Sequence, residues 1–84
     1  MEYKLIKIDQ ENESILISVD DVEMWVDYRK NEEGFFEWEF NKFVFLRWKK
    51  SDMEIQEKQE TILDKELEEF DFFMDGIFYD YLEN

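Results

Sequence analysis

The sequence predicts a small α+β domain: an antiparallel sheet of four or five strands over residues 2–49, followed by a C-terminal amphipathic helical segment. Three observations carry this expectation. Apolar residues alternate with period two through the first half, and they recur at intervals of three and four through the second. The composition is that of a folding chain, with nine Phe, four Tyr and three Trp against two Gly and no Pro. At 84 residues it makes one domain, residues 1–84, with room for one modest core.

Tyr3 to Ile8 and Ser14 to Val19 are β-rich runs, the second alternating Ile15, Ile17 and Val19 against Ser14 and Ser18. Asp9-Gln10-Glu11-Asn12 between them reads as a turn. The next run sets Val22, Met24, Val26 and Tyr28 on one face and Glu23, Trp25, Asp27 and Arg29 on the other. After Asn31-Glu32-Glu33-Gly34, Phe36, Trp38 and Phe40 alternate with Phe35, Glu37 and Glu39, which makes a hairpin with Gly34 at positive φ. Keeping both apolar sets on one face requires paired positions to sum to an even number, and two neighbouring registers satisfy this. One pairs Tyr28 with Phe36, which sets Asp27 opposite Glu37 and Trp25 opposite Glu39; the other pairs Arg29 with Glu37 and Asp27 with Glu39. Both make the outer face acidic, as ordinary solvation of a strand face also would. Phe43 to Trp48 is a candidate fifth strand, ended by Lys49-Lys50.

Ser51-Asp52-Met53-Glu54 fits a capping box at a helix start. From there Ile55, Ile62, Leu63, Leu67, Phe70, Phe73, Met74, Ile77, Phe78 and Tyr81 form a core-facing stripe. Replacing Leu67 or Trp38 by Ala is expected to unfold the chain. Gln59 and Glu66 fall inside the apolar arc, so they need partners such as Arg47 or Lys49, or the helix turns there. Gly76 is the candidate break between a long helix and a shorter final one. The block from Phe70 to Leu82 is apolar on almost every side, a surface for a groove or for a second copy in a homodimer.

Charge is distributed unevenly. The formal net charge is -14, and residues 51–84 carry only Lys58 and Lys65 against twelve acids. Such an excess opposes compaction and points to a basic partner or to a demand for solubility; bare nucleic acid and anionic membranes would be repelled. Glu57, Glu60, Asp64, Glu68, Asp71 and Asp75 follow one another at spacings of three or four, a ribbon of carboxylates about 27 Å long on one regular helix. With the sheet acids Asp27, Glu37 and Glu39 and the outward Trp25, they are the candidate partner-binding residues. Catalysis is not expected. There is no Cys or His, no phosphate-cradling glycine loop and no nucleophile beside a base, and a solvated row of like acids lacks the asymmetry that acid–base work needs. Asp20-Asp21 and Asp71 to Asp75 do not resemble a calcium loop, so neither metal nor cofactor is implied. No long apolar run suits a signal peptide or membrane span, and the expected compartment is cytoplasm, the host's if the chain is phage-encoded.

In size, lack of cysteine, overall charge, sheet-beside-helix plan and the acidic ribbon Glu57 to Asp75, the chain resembles the small acidic DNA-mimic inhibitors of phages and mobile elements. These include anti-restriction proteins, anti-CRISPR proteins and inhibitors of uracil-DNA glycosylase. The resemblance lies in these features, not in a shared motif. It implies a stoichiometric inhibitor, anti-CRISPR first, that occupies the DNA, PAM or guide-binding groove of a nuclease or CRISPR effector. An immunity or antitoxin-like protein that neutralises a basic toxin, and a structural or assembly protein acting as a homodimer, are the alternatives.

Overall fold

Four antiparallel strands lie in chain order, β1 (Tyr3–Asp9), β2 (Ser14–Val19), β3 (Val22–Lys30) and β4 (Phe36–Phe40), in a computed structural model that describes residues 1–40 and 50–83 and, of Lys50 and Ser51, the backbone alone. Two α-helices follow, α1 (Lys50–Lys65) and α2 (Leu67–Ile77), and then a π-helical segment, Phe78–Leu82. The expected α+β architecture is therefore present. The Phe43–Trp48 strand, the Ser51 side chain and the pairing of Arg47 or Lys49 lie outside the described residues; α1 begins at Lys50, so the backbone of Ser51 is already helical and not at the cap position expected of it, and Lys50 belongs to the helix and not to a strand end.

Each hairpin is closed by local chemistry. After β1, Asp9 accepts from the Asn12 backbone N–H (3.2 Å) and from its Nδ2 (2.8 Å), and Glu13 takes φ 50°. Between β2 and β3 the turn is only Asp20-Asp21, at φ 49° and 67°, the two positive values of a type I′ turn. Between β3 and β4, Gly34 takes φ 89° as expected, and Asn31 Oδ1 accepts from the backbone N–H of Glu33 and Phe35. The β3–β4 register is the second of the two, with Arg29 opposite Glu37 and Asp27 opposite Glu39. It places Arg29 Nε 3.1 Å from Glu37 Oε2, an attraction the other register lacks.

One face of the sheet is covered by the helices. Ile15, Ile17, Val19, Met24, Val26 and Tyr28 point inward and are buried with Ile62, Phe70, Met74, Ile77 and Phe78. Phe70 is the hub: its ring lies 4.8 Å from Trp38, 5.3 Å from Phe40 and 5.4 Å from Tyr3. Phe78 stacks on Phe36 at 4.9 Å with an interplanar angle of 13°. Aromatic pairs of this kind add about 0.5–1.5 kcal/mol each beyond their area.

The helical region departs from the expected single stripe. It is interrupted at Glu66 (φ -125°, ψ 16°), not at Gly76, which sits within α2. Bonds from Glu66 N–H to the Ile62 carbonyl (3.0 Å) and from Phe70 N–H to the Glu66 carbonyl (2.9 Å) persist, so the interruption is a kink of one residue. Of the two polar intruders, Gln59 stays in regular α1 with its Nε2 buried and without a hydrogen-bond partner among the described residues, whereas Glu66, a carboxylate that costs more to bury, takes the non-helical backbone. Leu63 and Leu67 are left outside the core in consequence, Leu67 at 46% exposed, and Tyr81 is exposed as well. Leu67 is therefore not a core residue.

Candidate protein-binding surface

The carboxylate ribbon is presented in two pieces. On α1, Glu57, Glu60 and Asp64 are exposed, and Glu68 is exposed in the first turn of α2. Among the described residues none of these four pairs with a cation. Gln56 Nε2 donates to Glu60 Oε1 (3.2 Å), and Thr61 Oγ1 donates to the Glu57 carbonyl oxygen, so the neighbours hold the helix surface without cancelling charge. Lys58, four residues after Glu54, reaches away from the ribbon to Asp20 Oδ2 at 3.2 Å. That pair fastens α1 to the β2–β3 turn.

Asp71 and Asp75 face a different environment. Trp38 Nε1 donates to Asp71 Oδ1 at 2.8 Å, tying α2 to β4. Asp75 is half-buried beside Phe35, Phe36, Phe78 and Tyr79, and burial first, then the Asp71 charge, raises its pKa above the ordinary carboxylate value. At the kink, Glu66 is raised by a hydrogen bond with the Glu69 carboxyl, by desolvation and by the Glu69 charge. The ribbon that the spacing predicts on one helix is thus four exposed acids with no cation partner among the described residues, followed by two that belong to the α2–β4 packing.

The sheet candidates lie on the opposite layer. Asp27, Glu37, Glu39 and Trp25 occupy the face turned away from the helices, so they and the α1 acids do not form one surface. Glu37 accepts from Asn31 Nδ2 and pairs with Arg29 (Nη2 to Oε2, 3.1 Å), and the Asn31 bond first, then Arg29, lowers its pKa. Asp27 accepts from Ser14 Oγ at 2.8 Å. Trp25 is half-buried and pairs across with Leu16. Glu39 is exposed opposite Asp27.

Two features escape a reading of the chain alone. Asp20 holds three segments together, accepting from the Glu2 backbone N–H (2.8 Å) and from Lys58, and these bonds lower its pKa. Beside β1, an apolar groove opens against α2. The exposed aromatics of the C-terminal block were its signal, but the contribution of Met1, Tyr3 and Leu5 required the strand's position at the sheet edge.

Among the described residues no cluster of His, Cys, Asp or Glu is arranged to hold a metal ion, and no helix is long and apolar enough to cross a membrane. Compared with known protein families, curated proteins and solved structures, the chain matches none.

Proposed function

We propose that the chain binds a basic, nucleic-acid-binding protein and inhibits it by standing in for a nucleic-acid backbone, with an anti-CRISPR or related anti-defence role as the first choice. The observation that carries the reading is the set Glu57, Glu60, Asp64 and Glu68, exposed along α1 and the first turn of α2 with no cation partner among the described residues. Like-charge neighbours at i,i+4 disfavour the helix by a few tenths of a kcal/mol each, so fold economy does not account for the pattern. A basic groove would recover that energy and release counterions from both partners, as phosphate binding does. The net charge of -14 would steer the encounter and make it sensitive to salt.

The test is affinity capture from a low-GC bacterial lysate at low and high salt, with mass spectrometric identification. A nuclease or CRISPR effector released by salt and displaced by duplex DNA supports mimicry. The triple substitution Glu60→Lys, Asp64→Lys, Glu68→Lys should abolish that capture while leaving the circular dichroism spectrum unchanged; intact capture by the variant reduces the acids to a solvated face. A toxin captured in place of a nuclease moves the reading to an immunity protein. A second reading, a structural homodimer, rests on the exposure of Phe72, Tyr79 and Tyr81, and recovery of the bait alone, running as a dimer, would favour it.

A further inference from the structure

The groove beside β1 has a volume of about 500 Å³ and a mostly apolar lining. Tyr3, Leu5, Phe73 and Ile77, all half-buried or buried, form its floor, and Phe72 (81% exposed) and Tyr81 (57% exposed) stand at its rim. So large an aromatic surface left in water is unusual for a small soluble chain and marks a contact site.

Gly76 supplies an independent observation. It lines the same groove, in the interior of α2, where glycine is about 1 kcal/mol less favourable than alanine. Neither of the usual reasons for glycine applies. Its φ is not positive, and a Cβ built there would meet nothing within 4 Å, so the fold has no steric need for it. A side chain longer than a methyl at this position would project into groove space that the glycine leaves empty.

The occupant is indicated by charge and by the edge. Glu69 and Asp80 are the charged side chains that line the groove. Tyr3, on its floor, has its phenol raised first by burial and then by the carboxylates of Glu66, Glu69 and Asp20, so the field across the floor is negative. Among the described residues the opposing charges nearby are the N-terminal ammonium, on Met1 of the lining, Lys58, already held by Asp20, and Lys4, between Tyr3 and Leu5 and paired with Glu2. A second copy, also at -14, would bring the same acidic rim with it. Addition of a partner strand to β1 is disfavoured as well. The strand is bulged between Leu5 and Lys7 and carries Lys4 and Lys7, features that blunt an edge.

We propose that this groove anchors one large apolar side chain of a basic protein segment, with flanking Lys or Arg paired to Glu69 and Asp80. The inference rests on the basic-partner reading and adds a short-range anchor to long-range attraction, the division of labour in which a few buried aromatic contacts carry most of an interface's affinity.

The experiment titrates the isotope-labelled full chain with two synthetic peptides of equal length and equal positive charge, one with a central Trp-Leu pair and one with Ser-Gly in its place. The Trp-Leu peptide is expected to bind about tenfold tighter or more, moving the amide resonances of Leu5 and of residues 72–81. Phe72→Ala should erase most of that advantage. Gly76→Leu should erase all of it by filling the groove, with a melting temperature equal to or above the parent's. Equal binding of both peptides, with shifts confined to Glu57–Glu68, overturns the anchor and leaves the basic-partner reading standing. Absence of binding by either peptide also overturns the anchor, while the lysate capture decides the basic-partner reading separately. A concentration-dependent dimer that Gly76→Leu dissociates assigns the groove to a second copy and overturns the proposal.

Discussion

α1 and α2 meet at a single residue and share one geometry, yet they are attached to the sheet in opposite ways. Of the described side chains of sixteen-residue α1, only Ile62 is fully buried, and the helix is pinned at its flank by Lys58 to Asp20. The eleven residues of α2 bury Phe70, Met74 and Ile77, and its Asp71 is bonded to the sheet through Trp38. The difference teaches that the acids of the two helices are not equivalent. A carboxylate on α1 can be changed with little effect on packing, whereas Asp71 and Asp75 are part of the joint between α2 and β4.

The sharpest way to break this comparison is to truncate one buried residue from each helix. Phe70→Ala should destabilise by about 3–5 kcal/mol, because four rings lose their common neighbour, and Ile62→Ala by about 2–4 kcal/mol. Urea denaturation of the two variants measures both, and an Ile62→Ala effect larger than that of Phe70→Ala would reverse the assignment of the stabilising helix. Trp38→Phe keeps the aromatic bulk and deletes the donor to Asp71, with an expected loss of about 1 kcal/mol by the same assay.

Titration addresses the kink between the helices. Glu66 is raised in the folded chain, so the folded state holds its proton across the window between the unfolded and the folded pKa. That contribution to stability is complete below the unfolded value and is lost as pH rises through the folded one. Asp9, Asp20 and Glu37 are lowered, and their contributions run the other way, present above their unfolded values and lost as pH falls through the folded ones. Glu66→Gln should therefore raise the melting temperature at neutral pH and leave it nearly unchanged in acid; a gain of equal size at both would show that the carboxyl charge is not what the kink accommodates. The smallest effect belongs to Leu67→Ala. At 46% exposure it should change stability by no more than about 0.5–1 kcal/mol, which thermal melting can set against the Phe70 result.

Period-two alternation made the sheet readable, because a one-residue slip would have turned Met24, Val26 and Tyr28 to solvent. It restricted the β3–β4 pairing to registers of even sum, and the Arg29–Glu37 attraction agrees with the one adopted. The Asp20-Asp21 turn was not readable, since neither residue is glycine and their left-handed conformation is held partly by bonds from Glu2 and Lys58, remote in sequence. In the helical region the misfit of Glu66 was visible, but a 3.6-residue period does not say whether a polar intruder finds a partner or bends the axis; glycine propensity pointed to Gly76 instead. Exposure of the α1 acids followed directly from the pattern. The placement of Asp27, Glu37 and Glu39 on the outer face followed from the alternation as well, since the helices cover the opposite, apolar face.

The order β1-β2-β3-β4 has a kinetic consequence. Every strand pairs with its neighbour in the chain, through turns of two to five residues, so the sheet can assemble hairpin by hairpin without closing a long loop. The C-terminal helices need a surface to dock on and add their contacts afterwards. Lesions in the β2–β3 hairpin should then slow folding, and lesions in α2 should mainly hasten unfolding. A chain built this way completes its local pairings first and brings the segment with the fewest cations, Lys58 and Lys65 among residues 51–84, to rest last.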